Sequence, residues 1–222
     1  MSLRLRAAAR AAASILLLAG CCPAGTSPGP AAASDEFTVM AYNVRRFCYD
    51  DRDRDGQVDD FKPQEEIDAL LDVIMSVKPD VLAMEEMGER PIFERFREML
   101  SKRGLAYEYA EFLPSAVTNI NVVALSRFPI VSRQSISNET YTINDKQVPV
   151  QRGFISIDIQ PAPDYRFRLM VAHLKSKRFS ELGQTEMRRN EARLLNNYVR
   201  QYLTADTNMN LLVVGVFKRK DL

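Results

Sequence analysis

Four short apolar runs constrain this chain more than any other feature: Phe37-Thr-Val-Met-Ala-Tyr-Asn43, Asp80-Val-Leu-Ala-Met-Glu-Glu86, Arg168-Leu-Met-Val-Ala-His173 and Leu211-Leu-Val-Val-Gly215. Strands buried on both faces read as continuous hydrophobic sequence, because neither side of the pleat meets water. Such strands belong to layered folds in which helices or a second sheet cover them. The first three runs each end on one polar residue: an amide, a carboxylate and the only histidine of the chain. A polar group at the carboxyl end of a buried strand stands at the mouth of the sheet, where layered α/β folds place their sites.

Between these runs the chain alternates helix-like and strand-like stretches. Pro63 suits a first helical position, with Glu65 and Glu66 in the first turn and Ile67, Leu70, Leu71 and Ile74 on one face. A second helix is expected from near Pro91 to Gly104, carrying Phe93, Phe96, Met99 and Leu100. Strands are expected over 106–112, 119–126, 130–136, 148–159, 166–173 and 210–215, with a long helix over about 181–203. Several successive strands between helices argue for mixed sheets packed face to face with helices outside, rather than a plain parallel series. No internal repeat is visible.

The bulk numbers exclude little. Hydrophobic content of 46% supports a real core, and 222 residues favour one domain. A net charge of +1 creates no global field toward nucleic acid, so phosphate affinity has to be local. Cys21, Cys22 and Cys48 make no disulfide framework, and a Cys22–Cys48 bridge is a minor alternative.

Residues 1–20 read as a signal peptide: Arg4, Arg6 and Arg10 precede a short apolar stretch containing Ile15-Leu-Leu-Leu18. The stretch is too short for a stable membrane span. It ends in Leu18-Ala-Gly-Cys21, which resembles the lipobox of bacterial lipoproteins; a plain cleavage near Ala24 is the alternative. Lipid on Cys21 would hold an exported protein on a bacterial membrane, facing the periplasm or the exterior. Residues 21–36 form a flexible tether, and 37–222 the globular domain.

Taken in order, Ala41-Tyr-Asn-Val44, Pro79-Asp-Val-Leu-Ala-Met-Glu-Glu-Met87, Asn121-Val-Val-Ala-Leu-Ser-Arg-Phe-Pro-Ile130 and Ala172-His-Leu-Lys-Ser-Lys177 resemble the endonuclease/exonuclease/phosphatase superfamily. The resemblance spans about 37–217. It implies an α/β (α+β) fold, a four-layer α-β-β-α sandwich of mixed sheets, and divalent-metal-dependent phosphodiester hydrolysis of endonuclease-like type. Asn43 matches the family's metal- and phosphate-adjacent asparagine, Glu86 its magnesium-binding glutamate and His173 the histidine that contacts the scissile phosphate. Arg152 matches a substrate-side arginine less specifically, and Lys175, with Lys177 and Arg178, would hold a polyanion. Glu85 should face the other side of a period-two strand, so only one of the pair can point at the site, and the family motif, in which the carboxylate directly precedes an apolar residue, selects Glu86.

The residue types suit that chemistry. Mg2+ (or Mn2+) prefers hard oxygens and is often held by one or two carboxylates plus substrate phosphate. The expected partner is a phosphodiester, with nucleic acid among the candidates and no protein partner. Asp51-Arg-Asp-Arg-Asp-Gly56 resembles the first half of a calcium loop, but Lys62 stands where the bidentate glutamate belongs, so Ca2+ over 51–60 competes with a solvated loop.

One departure weighs against turnover. Where the superfamily carries Gly-Asp-Phe-Asn, this chain has Gly215 and Phe217 but Val216 and Lys218, and the family's final Asp-His pair has no counterpart. The expectation is therefore a sandwich incomplete at the C-terminus, through divergence, truncation or a frameshift, and an impaired hydrolase. A non-catalytic phosphate- or nucleic-acid-binding module is the alternative. Loss of such groups costs several orders of magnitude in rate.

Overall fold

The computed structural model describes residues 2–6, 36–176 and 178–217. The strands and helices, in chain order, are β1 (Ser2–Arg6), β2 (Glu36–Phe47), α1 (Gln64–Val77), β3 (Val81–Met87), α2 (Arg90–Lys102), β4 (Tyr109–Leu113), β5 (Asn121–Ser126), β6 (Ile130–Arg133), β7 (Thr140–Ile143), β8 (Lys146–Pro149), β9 (Phe154–Ala162), β10 (Tyr165–His173), α3 (Gln184–Ala205) and β11 (Leu211–Val216).

They form the expected four layers. One sheet has the order β1-β2-β3-β5-β4 and the other β11-β10-β9-β6, each mixing parallel and antiparallel pairs. Alternation along each strand then distributes its side chains between two cores. From β2 and β3, Phe37, Val39, Val81 and Ala83 point between the sheets, where Ile155, Ile157, Leu169 and Val171 of the second sheet meet them. The opposite parity, Met40, Val44, Leu82 and Met84, packs beneath Ile67, Leu71 and Ile74 of α1 and Phe93 and Phe96 of α2. On the far side, Met170 and Ala172 pack with Met187 and Leu195 of α3 and with the β7–β8 hairpin.

Several boundaries differ from the sequence expectation, β4, β6 and α3 by about three residues at one end, and three differences matter more. Pro63 is the residue before α1 rather than its first turn, with an extended ψ of 143°. The stretch read as a single strand over 148–159 is broken: β8 ends at Pro149 and β9 starts at Phe154. The break lies at Gly153, whose φ is +67° and where a Cβ would sit 2.3 Å from the Ile136 carbonyl oxygen. Only a residue without a side chain fits that approach. β7, which periodicity did not reveal, joins β8 through Asn144 and Asp145, both at positive φ, the signature of a tight two-residue hairpin turn.

Ser2–Arg6, within the segment read as a leader, pairs antiparallel with Glu36–Met40 on the outer edge of β2. An edge strand offers unpaired N–H and C=O groups to any extended segment. Cys21, Cys22, Lys177 and Lys218 lie outside the described residues. Among the described residues, no helix is long and apolar enough to cross a membrane.

Candidate active site at the sheet mouth

The parallel pairing of β2 with β3 brings the carboxyl ends of two buried strands together, with Asn43 in register with Glu85. By alternation Glu85, not Glu86, shares the inner face with Asn43 and His173, whereas the family motif selects Glu86. Glu86 reaches the mouth through a kink. Its φ is +66°, and the pairing of β3 shifts register on both sides at this point. A bulge re-aims one side chain where a regular pleat would turn it away.

The kink closes a small network. Asn43 donates from Nδ2 to Glu86 Oε1 at 3.0 Å, and the Arg46 backbone N–H donates to Glu86 Oε2 at 3.1 Å. His173 Nε2 stands 3.6 Å from the same Oε1. Asn43 Oδ1 accepts the Arg45 N–H at 2.9 Å. Arg45 and Arg46 both have positive φ, at +51° and +54°. Three neighbouring non-glycine residues in left-handed conformations cost on the order of 1–3 kcal/mol each, and such strain concentrates at functional sites. Asn43, Glu86 and His173, on three strands of two sheets, thus converge as the sequence reading required.

Asn43, Arg45, Arg46, Arg52, Lys62, Glu66, Glu86 and Val216 line a cleft of about 500 Å³. Its cations are held in place: Arg46 pairs bidentately with Asp50, Arg52 donates to the Arg46 carbonyl at 2.9 Å, and buried Lys62 donates to Glu66 at 2.7 Å. The arginines at 45, 46 and 52 and Lys62 were not singled out in the sequence as phosphate-facing, because nothing in periodicity shows a loop folding back over a strand end. Val216 also forms part of the wall. In the parallel β10–β11 ladder it stands opposite His173.

Two further cations come from the turn before β9 and the loop after β10. Arg152 and Lys175 are buried at 7% and 8% exposure. Burial holds both below their ordinary pKa values, and Arg152 adds to the effect on Lys175. Glu191 of α3, 1% exposed, accepts the Lys175 N–H at 2.5 Å and the Gln151 N–H at 3.3 Å. Sequence reading missed Glu191, although its spacing from Met187 and Leu195 puts a glutamate in the buried stripe of the helix. Glu85 is 1% exposed, and burial followed by the neighbouring Glu86 charge pushes its carboxyl up to about 8.

Hard oxygen donors fit a small divalent cation, and here the Glu86 carboxylate would hold it, leaving most of the ion's shell to water and phosphate. A separate group stands on the loop closed by the mutual backbone bonds of Asp50 and Asp60. There the carboxylate oxygens of Asp51, Asp53 and Asp55 lie within 4.8 Å of one another.

No protein-family model and no curated protein matches the chain. Among solved structures it is similar to a β-hairpin deletion mutant of beta toxin from Staphylococcus aureus, at 16% identity and a TM-score of 0.54, over 80% of this chain and 65% of that one. It is similar to the human Nocturnin catalytic domain with bound sulfate anion, at 19% identity and a TM-score of 0.54, over 80% and 62%. An endonuclease/exonuclease/phosphatase family protein from Leptotrichia buccalis C-1013-b aligns at 17% identity and a TM-score of 0.50, over 81% and 65%. The chain spans less than two thirds of the length of each of these structures. The α-β-β-α sandwich is the fold it shares with them.

Proposed function

We propose, from that shared fold and the site at its mouth, that this chain is a divalent-metal-dependent phosphodiester hydrolase of endonuclease-like type. The observation that carries the reading is the convergence of Asn43, Glu86 and His173, the first two lining a cleft walled by arginines and lysine. A bound Mg2+ or Mn2+ would stabilise charge developing on the phosphate and ease departure of the leaving oxygen. Each residue of the chain then has a separate task. Glu86 supplies the anionic oxygens, oriented by the Asn43 amide and the Arg46 N–H. His173, from Nε2, donates to a non-bridging phosphate oxygen. Arg45, Arg46, Arg52 and Lys62 neutralise the phosphodiester on the β2 side, and Arg152 and Lys175 on the β10 side. The acidic loop of Asp51, Asp53 and Asp55 keeps both readings of the sequence, a Ca2+ site or a solvated loop.

Cleavage of supercoiled plasmid DNA and of bis-p-nitrophenyl phosphate, with and without Mg2+, tests the reading. Metal-dependent turnover that Glu86→Ala abolishes supports it. Retention of nucleic acid without any turnover favours the second reading, a phosphate-binding module without catalysis. The apolar Val216 wall opposite His173 is the observation that favours that second reading. Export and lipid attachment through Cys21 complete the proposal; incorporation of labelled fatty acid that Cys21→Ala prevents would support the anchor, and unlabelled wild-type protein would remove it.

A further inference from the structure

Lys62 is a buried cation with a replaceable partner. Its side chain is 4% exposed, and its Nζ donates at 2.7 Å to Oε2 of Glu66, whose own side chain is 56% exposed. A buried ammonium needs a counter-ion, because removing it from water unpaired is costly. A carboxylate on an exposed, rotatable side chain meets that need without being locked in place, so another anion can take its position.

The cleft around this pair carries more positive charge than its carboxylates offset. Arg45, Arg46, Arg52, Lys62, Glu66 and Glu86 all line the same space of about 500 Å³. That volume suits a whole small ligand rather than one phosphate group. Arg46 is paired with Asp50 and Lys62 with Glu66. Arg45 and Arg52 have no carboxylate within ion-pair distance among the described residues, although both line the cleft. The Lys62 hydrogen bond holds the Glu66 carboxyl below the ordinary carboxylate range, and Arg52 and Arg45 act on it in the same direction. Helix α1 starts at Gln64, between Lys62 and Glu66, and no side chain caps it, so its positive end lies at the cleft wall.

We infer that Lys62, Arg45 and Arg52 form a second anion subsite, for a phosphate next to the one at Glu86 and His173, and that Glu66 guards it. The Glu66 carboxylate fills the subsite until a second phosphate of the ligand displaces it. A phosphate accepts from an ammonium and two guanidinium groups at once, whereas the carboxylate is bonded to Lys62 alone. Glu66 keeps a favourable place after displacement, in the first turn of α1. The ligand class is therefore a phosphodiester flanked by a second phosphate, and Glu66 sets the preference for it over a lone diester. The inference rests on the hydrolase reading for the first phosphate only. Binding at the second requires no turnover.

Calorimetric titration of the full chain in EDTA, with orthophosphate and with pyrophosphate, tests the subsite apart from catalysis. Wild type is expected to bind pyrophosphate more tightly. Glu66→Gln keeps the shape, removes the competing charge and should tighten pyrophosphate by about tenfold, and Lys62→Met should weaken it by about tenfold. Glu65→Gln is the control. It removes the same charge one residue away, from a side chain that does not line the cleft, and should leave the affinity close to wild type. Equal tightening in Glu65→Gln and Glu66→Gln, or none in Glu66→Gln, overturns the inference. Circular dichroism checks folding; should Lys62→Met fail to fold, Arg45→Gln, a change at an exposed residue, takes its place with the same expected loss.

Titration with the thymidine dinucleotide TpT, with pTpT and with TpTpT identifies the source of the second phosphate. A gain over TpT with pTpT assigns a terminal monoester, a gain with TpTpT the next diester of a chain, and no gain with either overturns the inference. Hydrolysis of bis-p-nitrophenyl phosphate with Mg2+ is followed in parallel. Its absence beside these affinities sinks only the hydrolase reading. Its presence beside a pyrophosphate affinity that ignores Glu66 and Lys62 sinks only the subsite.

Discussion

Val216 stands directly across from His173 in the parallel ladder between β10 and β11, and its side chain walls the cleft that holds Asn43 and Glu86. The position nearest the histidine on the neighbouring strand therefore offers neither an oxygen ligand nor a proton acceptor. Val216→Asp would put a second carboxylate beside Glu86. Divalent cations bound through one or two carboxylates gain affinity with each added charge. Titration with Mn2+ should show binding tightened by about tenfold or more in the variant, with unchanged affinity arguing that residue 216 lies off the ion's shell.

Glu85 predicts a pH dependence. Burial raises its folded-state pKa to about 8 from an ordinary 4.5, so the folded protein keeps a proton that the unfolded chain releases. Stability from this group is then complete below about pH 4.5 and is lost as pH rises toward 8. Glu85→Gln stays neutral throughout. In EDTA its Tm should rise above that of wild type as pH increases across this window, the stability difference reaching on the order of a few kcal/mol at the top. Parallel Tm curves for the two proteins would contradict the assignment.

Phe47 is fully buried beneath α2, edge-on to Phe96 at 5.0 Å and to Phe61 at 5.3 Å. It anchors the end of β2 immediately after the left-handed Arg45–Arg46 pair. Phe47→Ala should cost about 3–5 kcal/mol in urea unfolding, because the sheet and two helices cannot collapse into the space left. A loss below 1 kcal/mol would mean the loop above it is not packed as described.

Gly153→Ala combines a positive φ with a Cβ placed 2.3 Å from the Ile136 oxygen. The expected cost is on the order of 2 kcal/mol. Since the turn aims Arg152, phosphate affinity should fall further than the stability loss alone explains. Wild-type affinity in a folded Gly153→Ala protein would separate Arg152 from the turn.

The layers of this fold were legible because they follow from side-chain chemistry that acts locally. Continuous apolar runs mark strands covered on both faces, and the stripe Ile67, Leu70, Leu71, Ile74 marks a helix that must lie on them. The polar residues ending those runs were legible for the same reason: a buried strand has to stop where water begins. Their identity as one site depended on register, and register is a property of pairing between distant segments. Alternation by itself sent Glu86 to the helix side of β3 and Glu85 to the inner face; a left-handed residue and a shift in pairing, invisible in composition, brought Glu86 round to Asn43 and His173. Glu191 shows the same division. Its place in the stripe of α3 could be counted from the sequence, but a carboxylate there became intelligible only once the loops bearing Gln151 and Lys175 were seen to bring their N–H groups to it. The sequence by itself determined which segments bury and where each meets solvent, since hydrophobicity is carried residue by residue. The tertiary structure alone decided which charges meet, since electrostatic and hydrogen-bonding partners exist only where the folded chain returns to itself.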